Sequence, residues 1–319
     1  MAYYLGIDLG GTYIKAGLFN ERLELLSSCK KESGARYDSS VVLQQIEKCG
    51  EQLIFDHQIE VSDIACMAIG VPGLMDRQNG ISVFSPNFAN WQDVHIKEWF
   101  EDKWKIKTVI DNDVRMHLYG EWHFGAGKNV NDLVLIALGT GLGSGIIMDG
   151  RVLYGTSDSA GELGHMNMYQ HGRTCRCGSS GCLGRYVSAT GMVNTFKEKL
   201  ASGKTSIILK WVDDVEAITA KMISLAYDQG DRLAIETFNE TGELLGFGLA
   251  NVINLFNPKK IIISGGLANA RERLLKPACK AAGEHALKIS WSNCEITTAL
   301  LGSKAGMYGA GYYASIQKI

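Results

Sequence analysis

Across 319 residues the chain carries no block of clustered lysine and arginine, and its formal net charge is only -2. Sequence-independent binding to nucleic acid needs such clusters, so no nucleic-acid partner is expected. The opening residues Met1-Ala2-Tyr3-Tyr4-Leu5-Gly6-Ile7-Asp8 have neither the basic start nor the apolar stretch of a signal peptide. A long hydrophobic run is missing as well. The longest uncharged segment, Leu133 to Met148, is too short for a comfortable membrane span and is broken by four glycines, so it reads as buried strand and turn. A cytoplasmic protein without a membrane partner is the expectation.

What is present suits a soluble globular protein: 46% apolar and 21% charged residues, in a chain long enough for two domains with a core each. Eight cysteines raise the question of disulfides. Three of them crowd between Cys175 and Cys182, whereas Cys29, Cys49, Cys66, Cys279 and Cys294 are scattered. Without an export signal, that crowding favours a metal over disulfide bonds.

Tyr3 to Asp8, then Gly10-Gly11-Thr12, then Ile14 to Phe19 read as two strands joined by a Gly-Gly turn. The same grammar returns after Asp132, with Leu133 to Leu138, the turn Gly139-Thr140-Gly141-Leu142-Gly143, and Gly145 to Met148. This echo suggests two related domains facing one another. Between the copies, a helix is expected near Val41 to Phe55 and a strand at Ile64 to Ile69, ending in Gly70-Val71-Pro72-Gly73. A second strand at Thr108 to Ile110 runs into Asp111-Asn112-Asp113. The helix after it carries Val114, Leu118 and Trp122 as one apolar stripe, and Asn112 or Asp111 can cap its start. The stretch from about Ser202 to Asp231 reads as helical. Leu245, Leu249, Val252 and Phe256 form another stripe, stopped by Pro258. Ile261-Ile262-Ile263 reads as a buried strand and Ser264-Gly265-Gly266 as a turn into a helix. Strands alternating with helices indicate an α/β protein.

The turn at Gly10-Gly11-Thr12 lets backbone N–H groups approach an anion closely, and Thr12 adds a hydroxyl. Asp8 at the strand end can hold Mg²⁺ through water, as phosphoryl transfer requires. A single Gly-Gly turn is more often a plain hairpin. Here the loops Gly139 to Ser144 and Gly265-Gly266 add two more glycine turns after apolar strands, as a bound nucleotide needs. Asp113 follows a strand and opens a helix. It is either a helix-start acid set against the macrodipole or, in a kinase site, the general base for an attacking hydroxyl. The sharpest local signal is Gly164-His165-x9-Cys175-x-Cys177-x4-Cys182. Three thiolates and one imidazole complete a tetrahedral zinc site with no open position, so the metal should be structural. Glu162, three residues before His165, is by default a solvent-facing acid. Beside a metal-fixed loop it is also placed to grip sugar hydroxyls. Asn87, Asn90 and Asn112 can add hydrogen bonds, though loop asparagines are commonly turn formers.

With these motifs in this order, the sequence resembles the ROK family of sugar kinases and related repressors, within the actin–hexokinase superfamily. The resemblance covers nearly the whole chain. It rests on Ile7-Asp8-Leu9-Gly10-Gly11-Thr12, Gly70-Val71-Pro72-Gly73, Pro86-Asn87, Asn112-Asp113, Leu138 to Gly143, Gly161-Glu162-Leu163-Gly164-His165, and Cys175-x-Cys177-Gly178-x-x-Gly181-Cys182. Ile263-Ser264-Gly265-Gly266 and Ala305 to Ala310 also match. The resemblance implies two actin-like (ribonuclease H-like) α/β domains with a nucleotide and sugar cleft between them. The small domain would cover 1–115 and be completed by a C-terminal helix at about 303–319, and the large one, carrying the zinc loop, would cover 116–302.

By the same resemblance, Gly10, Gly11, Thr12, Thr140 and Gly141 contact ATP phosphates, and Gly265 and Gly266 lie near the nucleoside. Asp113 is the catalytic base. Gly73, Asn87, Asn112, Glu162 and His165 contact the sugar, with His165 also a zinc ligand alongside Cys175, Cys177 and Cys182. The activity implied is transfer of phosphate from ATP to a sugar hydroxyl, typically the 6-hydroxyl of a hexose or acetamido hexose, by a homodimer. One departure bears on the substrate. Kinases of the family usually carry Glu two residues after the last zinc cysteine, where it binds sugar hydroxyls near C1 and C2; this chain reads Cys182-Leu183-Gly184-Arg185. The competing readings are a sugar-responsive repressor and an inactive sugar-binding protein. Repressors of the family carry a helix-turn-helix domain ahead of the Asp-x-Gly-Gly-Thr segment, and with that segment starting here at Asp8 the expectation is a chain without one. Intact Asp8, Asp113 and glycine loops speak against an inactive protein.

Overall fold

The structure is a computed structural model that describes residues 2–317. Met1, at the start of the expected 1–115 domain, and Lys318 and Ile319, at the end of the expected 303–319 helix, lie outside the described residues. The chain divides into two compact units, Met1–Asn129 with Leu300–Ile319, and Val130–Ala299.

The first unit is built on β1 (Tyr3–Leu9), β2 (Tyr13–Phe19), β3 (Leu25–Glu32), α1 (Ser39–Asp56) and β4 (Ile64–Val71). It continues with a small sheet of β5 (Leu74–Asp76), β6 (Ile81–Phe84) and β7 (Gln92–His95), then α2 (Ile96–Trp104), β8 (Thr108–Asn112) and α3 (Asp113–Phe124). The main sheet runs β3-β2-β1-β4-β8, antiparallel among its first three strands and parallel from β1 onward. β1 and β4 are buried almost throughout, as strands covered on both faces must be. α1 seals one face with Val42, Leu43, Ile46, Cys49 and Leu53. A C-terminal helix, Ala305–Ile316, packs on β1, β4 and α3.

That helix corrects one expectation. α3 does not bury a stripe at Val114, Leu118 and Trp122: of these only Leu118 is buried, with Arg115, Met116, Tyr119 and Glu121. The returning helix sets the inner face, and propensity yields to that packing. Beside the domains expected at 1–115 with 303–319 and at 116–302, the compact units divide after Asn129 and before Leu300. Buried Glu121 explains this, since its carboxylate accepts N–H bonds from Ala126 (2.9 Å), Leu300 (3.0 Å) and Leu301 (2.7 Å), which hold both chain crossings to α3.

The second unit repeats the plan. β9 (Leu133–Leu138), β10 (Leu142–Met148) and β11 (Arg151–Val152) form the antiparallel part of its sheet. Then come α4 (Gly184–Val187), α5 (Ala189–Ala201), α6 (Ala220–Asp228), α7 (Arg232–Phe256), β12 (Lys260–Ser264), α8 (Glu272–His285), α9 (Lys288–Trp291) and β13 (Glu295–Thr298). The order is β11-β10-β9-β12-β13, parallel from β9 onward. Leu245, Leu249 and Val252 are buried on α7, which ends at Phe256 before Pro258. The segment from Ser202 to Asp231 is less helical than expected: two short 3-10 turns precede α6, whose start is capped by the Thr219 hydroxyl.

Candidate active site

In the first unit, chemistry gathers where β1 ends. The register pairs Asp8 with Lys15 across the β1–β2 turn, and the Lys15 ammonium sits 3.6 Å from Asp8 Oδ2 while donating to the Ser303 carbonyl at 2.7 Å. His117, one helical turn beyond Asp113 on α3, brings Nε2 within 3.8 Å of the same oxygen. Gly306 of the C-terminal helix makes room for this pair, since a Cβ there would lie 2.6 Å from Asp8 Cγ and 2.8 Å from His117 Cδ2.

Burial alone would raise the Asp8 carboxyl. The nearby imidazole of His117, then Lys15, outweigh it and hold the group below the usual carboxylate range. His117 moves the opposite way: burial opposes its charge, but Asp8 and then Asp113 keep it above the ordinary imidazole value. Asp113 is pushed up to about 6, chiefly by burial; His117 pulls it down and Asp8 pushes it further up. Its Oδ1 accepts from the Val114 N–H at 3.0 Å, and Asn112 Oδ1 accepts from the same donor at 3.0 Å as the helix cap.

In the Gly10-Gly11-Thr12 turn Gly11 and Thr12 are exposed, and the turn is held from behind. Ser33, just past β3, donates from its N–H to the Thr12 carbonyl (2.9 Å) and from its hydroxyl to the Gly11 carbonyl (3.0 Å). The Gly10 N–H closes the turn on the Tyr13 carbonyl at 3.0 Å, which leaves the Gly11 and Thr12 N–H groups to serve a ligand. Asn87 lies against it, its Cβ 3.4 Å from where a Cβ on Gly11 would stand. Gly73 follows β4 at φ +103, where a Cβ would be 2.1 Å from the Phe84 carbonyl oxygen, so only glycine fits. Asn87 thus adjoins the glycine turn, and His117 stands between Asp113 and Asp8. Asn90 is not among them, since its amide donates to Asp38 at 2.8 Å and it serves the loop instead.

In the second unit, the β9–β10 turn at Gly139 to Gly141 is open: a Cβ on Gly139 or Gly141 would meet nothing within 4 Å. Gly265, at φ +88 after β12, would drive a Cβ to 2.4 Å from the Leu138 carbonyl oxygen and so has to be glycine. These turns border a pocket of about 570 Å³ whose walls include Gly139, Thr140, Ala189, Phe238, Gly266 and Leu267. Lys221, Ser224 and Asn269 add polar groups to its lining. An apolar floor with a few donors and two open glycine turns suits a flat base attached to an anion.

The zinc ligands expected from spacing come together. The ligand atoms of His165, Cys175, Cys177 and Cys182 all lie within 4.8 Å of one another. Cys177 Sγ and Cys182 Sγ are 3.7 Å apart, and His165 Nδ1 is 3.7 Å from Cys175 Sγ. Tetrahedral bonds of about 2.3 Å to sulfur and 2.0–2.1 Å to nitrogen give ligand–ligand edges of roughly this length, so the donors fit Zn²⁺. The strand-like contacts Met168 N–H to Gly181 O (2.8 Å), Cys175 N–H to Ser179 O (2.8 Å) and Leu183 N–H to Met166 O (2.8 Å) shape the loop. Arg173 anchors it, donating to the Arg185 and Gly191 carbonyls and to Glu198. Glu162 is exposed at the head of the turn Leu163–His165, which the Ser144 hydroxyl ties to β10 by accepting from Leu163 N–H (3.1 Å) and donating to the Gly161 carbonyl.

Sequence reasoning missed Lys15, His117, Ser33 and the pocket's Lys221, Ser224 and Asn269. Of these, only His117 had a local signal, its i+4 spacing from Asp113.

The sequence profile of the ROK family matches residues 4–316. A glucokinase from Halalkalibacterium halodurans is 31% identical over 99% of this chain and 96% of its own length. The crystal structure of a ROK family glucokinase from Streptomyces griseus, in complex with glucose and AMPPNP, matches with a TM-score of 0.80 at 32% identity, covering 98% of this chain and 99% of that one. The likeness extends beyond kinases: a xylose repressor from Caldicellulosiruptor bescii is 28% identical over 96% of this chain and 76% of its own length. The chain belongs to the ROK family and has the actin-like ATPase fold of its sugar kinases.

Proposed function

We propose that this protein is an ATP-dependent sugar kinase that transfers the γ-phosphoryl group of ATP to a hydroxyl, the 6-hydroxyl, of a hexose or hexose derivative. The observation that carries this reading is Asp113, a carboxylate at the first turn of α3 pushed up to about 6, chiefly by burial, with His117 and Asp8 acting on it. A base of that strength is ionised at neutral pH and still basic enough to take the proton of an attacking hydroxyl. Relatives that are glucokinases, and the glucose and AMPPNP held by the Streptomyces griseus enzyme, support the substrate classes.

In this reading Gly10, Gly11 and Thr12, with Thr140 and Gly141, contact the phosphates, Gly11 and Thr12 giving N–H donors and the two threonines hydroxyls, and Gly265 and Gly266 sit beside the nucleoside. Asp8 would hold Mg²⁺, which needs only one or two carboxylates and, when bound, neutralises phosphate charge. Asn112, Asn87, Gly73, Glu162 and His165 orient the sugar so that its hydroxyl faces Asp113. His165, Cys175, Cys177 and Cys182 hold a structural zinc that fixes the loop bearing Glu162. The working unit is a homodimer.

The test is ADP release screened across hexoses, acetamido sugars and polyols. Sugar-dependent ADP release that Asp113→Asn abolishes supports the reading. Tight sugar binding with no ADP release from any of them overturns it in favour of a sugar-responsive regulator of the xylose-repressor kind.

A further inference from the structure

Three of the eight cysteines belong to the cluster with His165; two others touch each other in the first unit. We propose that Cys29 and Cys49 are a thiol–disulfide pair, oxidised reversibly by small disulfides to a bond that staples β3 to α1. Their sulfurs stand 3.1 Å apart, about 1 Å beyond a bond length of ~2.05 Å.

The contact follows from the pleat. Along β3, residues alternate half-buried and exposed, so Ser27, Cys29 and Lys31 point the same way. All three meet α1 or its end: Ser27 Oγ with His57 Nε2 at 2.7 Å, Cys29 with Cys49, and Lys31 Nζ donating to the Lys48 carbonyl at 3.1 Å. Pairing of Cys29 with Ala16 of β2 fixes the register, so the sulfur cannot slide away without turning the whole stripe to the other face.

β3 is an edge strand and Cys29 is half-buried, so a small reagent can reach it. Cys49 is buried, and burial drives its thiol well above the usual range, which makes Cys29 the first to react. The Cys29 thiolate attacks one sulfur of a small disulfide such as oxidised glutathione, forming a mixed disulfide and expelling one thiolate. Cys49 then gives its proton to water and attacks the Cys29 sulfur, expelling the second thiolate. Two protein thiols are oxidised to one disulfide, and one small disulfide is reduced to two thiols.

The bond would close a loop between residues 20 apart in sequence. It would also brace the strand leading to Ser33, the residue that clasps the Gly11 and Thr12 carbonyls. The staple therefore secures the glycine turn from behind.

The experiment equilibrates the zinc-containing protein in a glutathione redox series, blocks free thiols by alkylation and maps peptides without reduction. A Cys29–Cys49 linked pair is expected, with loss of two thiols, reversal by dithiothreitol and a Tm higher by about 5–10 °C. Cys49→Ser should stop at a glutathione adduct on Cys29. Native protein that yields only adducts, links through other cysteines or no link overturns the proposal, and so does a linked pair that leaves Tm unchanged.

Discussion

Both units begin with a strand, a glycine turn and a returning strand, yet the two turns sit in opposite chemical settings. Behind the first stand Asp8, Lys15, His117 and Asp113, an acid–base group in which Asp8 and His117 shift each other, both act on Asp113, and the Lys15 charge acts on Asp8. Behind the second, β9 brings only Leu133 to Leu138, and the polar chemistry has moved to a pocket without acids, lined in part by Lys221, Ser224 and Asn269, and to a cysteine cluster. Topology was repeated, while charge was not. A duplicated sheet provides two rigid edges on which loops can be placed, and the side chains at those edges decide what each does. The first edge suits proton transfer, and the second suits holding a base and ordering a loop.

Removing the metal is the strongest way to test that division. Binding of structural zinc in zinc-finger peptides is worth about 10–16 kcal/mol, so a chelated protein should lose order around His165 to Cys182. Amide exchange should quicken at Met168, Cys175 and Leu183, whose N–H groups are bonded within that loop. The amides of β1 and β4 should stay protected. KM for the sugar should rise with the loosening of Glu162. Full activity in protein with well under one equivalent of zinc would remove the cluster from the account.

Asp113→Asn comes next. It keeps the shape and loses the base, so kcat should fall by roughly 100-fold or more while zinc content stays the same. The ionised form is the active one, so in the native protein kcat/KM should climb with pH through about 6 and level off above it. His117 lowers the Asp113 value, so His117→Gln should move that midpoint upward. A midpoint that stays put in His117→Gln, or a limb that survives in Asp113→Asn, assigns the titration to another group.

What could be read from the sequence was what is local. Glycine turns after apolar strands, the Asn112 cap and the His-Cys-Cys-Cys spacing each depend on a few neighbouring residues, and the structure brings each of them into the form its spacing suggested. Lys15 could be placed beside Asp8 only once the hairpin register was fixed. Gly306 reaches Asp8 from the far end of the chain, and the C-terminal helix that carries it also overrode the apolar stripe expected for α3. Cys29 and Cys49 looked scattered because strand-to-helix packing has no signature in spacing.

The smallest expected effect concerns the second unit alone, at Gly184. Resemblance to the family calls for Glu here, gripping sugar hydroxyls near C1 and C2. Gly184 opens α4, and a Cβ on it would lie 3.3 Å from the Gly164 carbonyl oxygen and 3.4 Å from Leu142 Cβ. A side chain at 184 therefore emerges against the turn that carries Glu162 and His165, the turn that on the proposed reading orients the sugar. Without it no buried acceptor goes unpaired when a sugar lacks those hydroxyls, so glucose should be a poor substrate and a sugar or polyol different at that end a better one. Gly184→Glu should raise kcat/KM for glucose relative to the preferred substrate by about 10-fold, near the lower end of what one hydrogen bond to a charged group contributes. The gain is held to that because the new carboxylate must turn away from the Gly164 oxygen, and its neighbours must give by a few tenths of an ångström. The measurement is kcat/KM for both sugars in both proteins. A native protein that already takes glucose with a low KM would mean another residue fills the position, and the contrast drawn for the second unit would lose its specificity determinant.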